Sequence, residues 1–184
     1  PSLLQPNTFR YRAVAEQGGI DQTFINLDLQ HRQIQRLFNS DLHKTIQVCN
    51  EALKQPDIQA HVYMGDWLSL YLLTGEGLLV ETKQKADEIK ALLTEIINRL
   101  QAKLNTLKEV DKGSTGSLHQ HLIKSALAFG YYEMGFFESN LARHGNAVQF
   151  YPKSRRLYEE LSNDINLART INDHGYSLAQ IGRS

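Results

Sequence analysis

Residues 145–184 read GNAVQFYPKSRRLYEELSNDINLARTINDHGYSLAQIGRS and contain two helical segments around one short polar turn. The first segment includes LYEEL at 157–161, the turn covers Ser162 to Asp164, and the second helix runs from Leu167 to Ile181. Apolar residues recur at spacings of three and four in both segments, which is the period of an α-helix. The segment therefore predicts two packed helices.

This pattern, with LARTINDHG at 167–175 and a further glycine at Gly182, resembles the tetratricopeptide (TPR) family. In that family the first segment corresponds to the second helix of one repeat, and the next segment to the first helix of the following repeat. The resemblance implies stacked helix pairs that bind partners. It also implies a truncated last repeat, which leaves Ile171, Leu178 and Ile181 exposed where a further repeat packs.

Two earlier segments resemble the helical region that joins the nucleotide-switch domain to the TPR array in bacterial STAND-type signalling ATPases. They read FINLDLQHRQIQRLFN at 24–39 and AHVYMGDWLSLYLLTGEGLLVETKQKADEIKALL at 60–93. The shared order is an acidic, Asn-containing helix, a helix ending in aromatic residues and glycine, and a long amphipathic helix. The resemblance implies the sensor arm of a larger signal-transduction or transcriptional regulator.

Helical periodicity fills most of the chain, and no alternating strand pattern competes with it. We therefore predict an all-α fold in which antiparallel helix pairs form a TPR-like α-α superhelix, or solenoid. The first expected helix follows Asp21, includes His31 and ends at Phe38, and a break at 39–41 comes after it. A second helix is expected from Leu42 to Gln55, ending at Pro56. A third is expected from Ile58 to Thr74, with a stripe of Tyr63, Trp67 and Tyr71, and it is followed by a turn at Gly75 and Gly77.

A long helix is expected next, with one apolar stripe formed by Ile89, Leu92, Leu93, Ile96, Ile97, Leu100, Leu104 and Leu107. DKGSTGS at 111–117 predicts a flexible loop because its residues are small, polar and rich in glycine. We divide the chain there into a helical region at 1–110, resembling the arm before a TPR array, and TPR-like helices at 117–184. Within the second region, Gly130 is expected to allow close helix packing. Pro152 either lies in the first turn of a helix, which we favour, or kinks a helix that begins near Asn146.

Composition excludes several function classes. The 184 residues include 20 basic and 20 acidic side chains, so no net positive field attracts nucleic acid. The apolar runs fall well short of the ~20 residues that span a bilayer, and we find no signal-peptide pattern. We therefore expect a cytoplasmic protein without direct membrane or nucleic-acid contact. Cys49 shares a helical face with Ile46 and Leu53, which predicts a buried, unreactive thiol.

The motifs of common catalytic sites are missing. The sequence has neither a Gly-x-x-x-x-Gly-Lys-Ser/Thr loop nor a Gly-x-Gly-x-x-Gly turn opening a helix, so we expect no nucleotide cofactor. His119 and His121 face different directions on a helix, and no other histidines have zinc-ligand spacing, so we expect no metal. His31 and His174 lie on apolar stripes, which favours buried imidazoles. We expect no enzymatic activity.

Candidate partner-binding residues lie near the C-terminal end. In FYPKSRRLYEE at 150–160, Lys153, Arg155 and Arg156 are mixed with tyrosines. Two interpretations are open: these cations contact an acidic peptide in a groove, or they form a solvent-exposed helix face with Tyr158 in the core. The TPR resemblance implies that Asn172 points into the concave groove.

Together these patterns predict a non-catalytic helical-repeat module for sensing or protein interaction, within a larger regulator. Its partner is expected to be a protein, a peptide or a small inducer, and its C-terminal helix is expected to favour self-association. The alternative is a free-standing TPR scaffold of the adaptor or chaperone type. A small all-α enzyme is disfavoured because the sequence offers no nucleophile with its base.

Overall fold

The computed structural model describes residues 33–34, 36–38, 40–56, 58, 64–80, 82–110 and 114–182, with side chains described except at 108–119. Seven helices have their bounds within these residues, and no strand occurs among them, which confirms the all-α prediction. The helices are α1 (Leu42–Ala52), α2 (Met64–Leu78), α3 (Lys83–Val110), α4 (Ser114–Asn140), α5 (His144–Ala147), α6 (Tyr151–Glu160) and α7 (Asp164–Ile181). The expectations for Asp21, His31 and Tyr63 lie outside the described residues.

The long helices α3 and α4 pack against each other in opposite directions. Lys90, near the start of α3, forms an ion pair with Glu138 near the end of α4. At the other end of the pair, the side chain of Gln120 donates a hydrogen bond to the Leu107 carbonyl oxygen over 3.3 Å. Helix α6 also runs antiparallel to α4, because Lys124 pairs with Glu160 and the Ser154 hydroxyl donates to the Ala128 carbonyl.

By contrast, α2 and α7 both run parallel to α4. Leu70 of α2 lies against Gly130, and Gly77, seven residues later, lies against Phe137. On α7, Asp173 accepts a hydrogen bond from the Tyr132 hydroxyl over 2.6 Å, and Ser177 donates to Ser139 over 3.2 Å. The helices α2, α4 and α7 therefore share one direction, and α3 and α6 run in the other.

The expected turn at Gly75 and Gly77 is wrong, because both glycines lie inside α2, which continues to Leu78. Their role is close packing. A Cβ atom on Gly77 would lie 2.5 Å from the Phe137 ring, and one on Gly75 would lie 3.2 Å from Cγ1 of Ile46. Both distances are shorter than ordinary contacts. Glycine at 77 lets α2 accept the Phe137 ring of α4, and glycine at 75 leaves room for Ile46 of α1.

Other expectations were wrong in their boundaries. Helix α1 ends at Ala52 rather than Gln55. Helix α4 begins at Ser114, inside the expected loop, since serine and threonine are tolerated in a first helical turn. Helix α7 begins at Asp164 because the Asn163 side chain accepts a hydrogen bond from the backbone N–H of Asn166.

The α3 stripe is also narrower than expected. Leu92 is 48% exposed, whereas the members on either side of it, Ile89 and Leu93, are buried. Pro152, in turn, lies in the first turn of α6, as predicted, after a separate short helix α5.

One core connects the two proposed regions. Its buried side chains include Leu93 and Leu100 from α3 and Leu127 and Phe137 from α4. Cys49 is fully buried, as predicted, and burial raises the pKa of its thiol to about 12. The division into 1–110 and 117–184 stays a prediction, and the described core packs across it.

Glycine-to-alanine exchanges test this packing. We expect Gly77→Ala to lower the free energy of unfolding by about 1–3 kcal/mol, because the new methyl group collides with Phe137. The matched exchange Gly175→Ala on α7 is expected to raise it by up to about 1 kcal/mol, since an added Cβ there meets nothing within 4 Å. Urea unfolding of both variants measures the difference. Equal stabilisation by both would contradict the α2–α4 contact.

Candidate functional site

Helix α7 carries most of the exposed large hydrophobic side chains in the described part of the chain. Five of the seven large hydrophobic side chains that are exposed there lie on this helix, namely Ile165, Ile171, Tyr176, Leu178 and Ile181. The exposure of Ile171, Leu178 and Ile181, at 46%, 50% and 41%, confirms what the sequence predicts for them. So dense a group on one helix is typical of a surface that contacts another molecule.

A row of exposed positions along one side of α7 defines what we call the α7 seam. It consists of Ala168, Ile171, Gly175, Leu178 and Gly182, all exposed. Intervals of three and four residues keep the row on one side of the helix. Large side chains alternate with small residues along it, and small residues allow a neighbouring helix to approach closely. The pattern is therefore that of a packing face.

The space beside Gly175 can be compared directly with the space beside the glycines of packed helices. A Cβ atom on Gly130 of α4 would lie 3.1 Å from Ile97, and one on Gly135 would lie 2.8 Å from the Tyr151 ring. Both α4 glycines thus receive a side chain from an adjacent antiparallel helix, α3 or α6. A Cβ atom on Gly175 would meet nothing within 4 Å. Gly175 is therefore a helix-face glycine like the two on α4, but the space beside it is open.

The four residues predicted to bind a partner are all exposed, on α6 and α7. The Lys153 ammonium lies 5.4 Å from the centre of the Tyr131 ring. Arg155 pairs with Glu159 and Arg156 with Glu160 on the same helix. The Asn172 amide donates to the neighbouring Asp173. Tyr158 is buried, which agrees with the interpretation that the cations lie on a solvent-exposed helix face and Tyr158 lies in the core. The role of these four residues in binding stays a prediction.

A second feature is a small internal cavity between α2, α4, α6 and α7. The centres of water molecules can occupy a volume of about 20 Å³ in this cavity, which is room for one or two waters. Glu133 of α4 lines it, together with Tyr71, Phe129, Tyr132, Tyr158, Asn166 and Arg169. Glu133, Tyr132 and Arg169 also line a wider adjoining cleft of about 570 Å³. We call the small space the Glu133 cavity and the wider one the cleft.

Glu133 is a buried acid in this cavity. It is only 2% exposed, and its Oε2 has no hydrogen-bond partner among the described residues. Burial raises the pKa of its carboxyl group from the usual 4.5 to about 8, and Asp173 adds to the rise while the Arg169 charge opposes it. The carboxyl group is therefore mostly protonated at neutral pH.

Glu138, five residues further along α4, shows how the charge of a buried glutamate is compensated by an ion pair. Its side chain is also fully buried. The Lys90 ammonium pairs with one carboxylate oxygen, and the Asn146 amide donates to the other over 3.0 Å. These bonds tie α3, α4 and α5 together, so Glu138 is part of the scaffold. Glu133 has no comparable set of partners among the described residues.

Sequence reasoning did not identify Glu133, Arg169 or Asp173. The available signal was the lone acid in YYEMGFF at 131–137, where every other residue is apolar, aromatic or glycine. An acid in such a run must be paired or must change its pKa. Its surroundings come from three other helices, which the local sequence does not reveal.

In the part of the chain that the structure describes, no three His, Cys, Asp or Glu side chains are grouped as a metal ion requires. None of the described helices is both long and apolar enough to cross a membrane.

Comparison with known proteins gives no relative: no protein-family model matches the chain, and neither a curated protein nor a solved structure shows significant similarity to it.

The Glu133 carboxyl group predicts a pH-dependent stability. Between about pH 4.5 and pH 8 the folded protein keeps a proton that the unfolded chain has lost, so stability falls as the pH rises through this window. The slope approaches about 1.4 kcal/mol per pH unit. Glu133→Gln, which stays neutral, is expected to remove this contribution and to be more stable than the wild type at about pH 8.

The measurement is chemical unfolding at several pH values, taken as the difference between wild type and variant so that other titrating groups cancel. Glu138→Gln is the matched control. It is expected to lower stability, because Lys90 loses its partner, and to keep the wild-type contribution from Glu133. Parallel stability curves for wild type and Glu133→Gln would show that Glu133 does not titrate in this window.

Proposed function

We propose that this chain is a non-catalytic helical-repeat module, a TPR-like solenoid segment, that binds a helical protein partner through the α7 seam. Its place is within a larger signal-transduction or transcriptional regulator, as the resemblance of its earlier segments implies. The observation that carries the proposal is the open packing face around Gly175.

The helix order supports a solenoid. Among the described helices, extensive contacts join those that are adjacent or next but one along the chain. The exception is α4 with α7, which are separated by the four-residue α5 and by α6. Repeat arrays have this short-range pattern because each helix pair leans only on its neighbours. The shared direction of α2, α4 and α7 also fits, since these helices then take the same place in successive pairs.

In such an array α7 takes the position of α4, which is covered on two sides by α3 and α6. One side of α7 packs on α6, and the seam corresponds to the side that receives the next antiparallel helix. Covering a few hundred Å² of apolar surface at ~25 cal/mol per Å² gives several kcal/mol before ordering costs. The expected partner is an amphipathic helix whose large side chains fit at Gly175. The α7 helix of a second copy of this chain would cover the seam only weakly.

Charge substitution in the seam tests the proposal. Ile171→Lys combined with Leu178→Lys is expected to abolish self-association at high concentration, measured by sedimentation velocity, without lowering the melting temperature, because both side chains are about half exposed. The matched control is Ile165→Lys combined with Tyr176→Lys, which places the same charge on the other flank of α7.

Partner binding is tested with a glycine pair. Gly175→Leu fills the seam, whereas Gly145→Leu adds the same side chain at another open position, on α5. A protein captured by the wild-type chain and then purified is expected to bind Gly145→Leu normally and to lose binding to Gly175→Leu. Equal binding by the two variants, together with self-association that is unchanged by the seam lysines, would rule out the seam as the interface.

A further inference from the structure

The Glu133 cavity and the cleft together have the features of a ligand site that the interaction surface on α7 does not use. The cavity holds a buried carboxyl oxygen without a protein partner among the described residues. Its walls are largely aromatic, with Tyr71, Phe129 and Tyr158 around the carboxyl group. The cleft joins the cavity and is lined by polar and apolar groups, including Asp41 and His43 of the α1 end and Leu79 at the end of α2.

The charges around Glu133 favour a cation as the missing partner. Arg169 and Asp173 on α7 are the two charged groups that act on it. Asp173 accepts a hydrogen bond from Tyr132, and the Arg169 guanidinium lies 5.5 Å from the centre of the same ring. With Glu133 ionised, these three groups carry a net charge of −1. One additional positive charge neutralises this group of three, whereas an anion adds to its negative charge.

The size of the cavity restricts that cation. Space for one or two waters accepts an –NH₃⁺ head, whose three donors suit a carboxylate and tyrosine oxygens. A trimethylammonium head is too large. Aromatic ring faces also attract ammonium groups when water is excluded. The cleft, with a volume in the range of small-ligand sites, has room for the rest of an extended molecule.

We propose that the Glu133 cavity and the cleft bind a primary ammonium group, with its –NH₃⁺ head against the Glu133 carboxylate and its aliphatic stem in the cleft. A free alkylamine and a lysine side chain of a peptide share this chemistry. As the ammonium binds, the Glu133 carboxyl group releases its proton to the solvent and becomes the carboxylate partner. No bond other than that O–H bond is broken.

The proton release gives a direct readout. Because the carboxyl pKa is raised to about 8, binding at about pH 7 is expected to release most of one proton per ligand. Isothermal titration calorimetry in buffers of different ionisation enthalpy measures this number. The probes are n-pentylamine, the pentapeptide Ala-Ala-Lys-Ala-Ala with blocked ends, and N,N,N-trimethylpentylammonium as the size control.

We expect n-pentylamine or the lysine peptide to bind with proton release and the trimethyl compound to fail. Binding of n-pentylamine identifies a free amine as sufficient, and binding of the peptide alone identifies a lysine side chain. Glu133→Gln is expected to weaken binding by about 100-fold or more, as when one member of a buried ion pair is removed. Glu88→Gln, on the exposed face of α3, is the matched control and is expected to bind as the wild type does.

A second variant guards against a folding defect in Glu133→Gln. Glu133→Asp keeps the acid but withdraws it from the cavity, and it is expected to weaken binding while its circular dichroism stays that of the wild type. The proposal is overturned if neither amine binds, which would leave the cavity as a water site. It is also overturned if the trimethyl compound binds as well as n-pentylamine, or if binding survives in both Glu133 variants.

Discussion

The close approach of neighbouring helices at glycine positions is the constraint on which the rest of this structure depends. Gly77 accepts the Phe137 ring, Gly130 accepts Ile97 and Leu70, and Gly135 accepts Tyr151. These contacts keep α4 against α2, α3 and α6 and so determine its distance and rotation. The same rotation turns Glu133 toward the small cavity and Glu138 toward Lys90. A larger residue at Gly77 or Gly135 would collide with an aromatic ring, so the ring or the helix must shift.

The two buried glutamates of α4 show two uses of the same residue type. Glu138 is paired and hydrogen-bonded, so its charge helps to hold three helices together. Glu133 has aromatic walls and keeps its proton at neutral pH, which lowers the penalty of burial but leaves Oε2 without a partner among the described residues. An unsatisfied buried group of this kind lowers stability, and proteins retain such groups most often at sites that bind or switch. This physical contrast separates the scaffold from the proposed ligand site.

The fold class and several local features were predicted, whereas several helix ends and the features that depend on packing between helices were not. Helical periodicity predicted the all-α fold, Pro152 was expected in a first turn, and the exposure of Ile171 and Leu178 follows from an apolar row opposite the packed face of α7. Glycine can form a turn or allow two helices to pack closely. The local sequence around Gly75 and Gly77 suggested a turn, whereas in the structure both glycines contact residues far away in the chain. Glu133 was missed for the same reason, because its cavity is formed by Tyr71, Tyr158 and Arg169 from three other helices.

The central claim is that the seam around Gly175 is a packing face for a further helix, and the reactivity of a cysteine placed there tests it directly. The native Cys49 is buried with a raised pKa, so a Gly175→Cys thiol is the reactive one in the chain. Its alkylation rate is measured as protein concentration or partner concentration increases, with Gly145→Cys as the reference. The account predicts fast alkylation in the dilute free chain and progressive protection of position 175 alone. Equal, concentration-independent rates at both positions would contradict it.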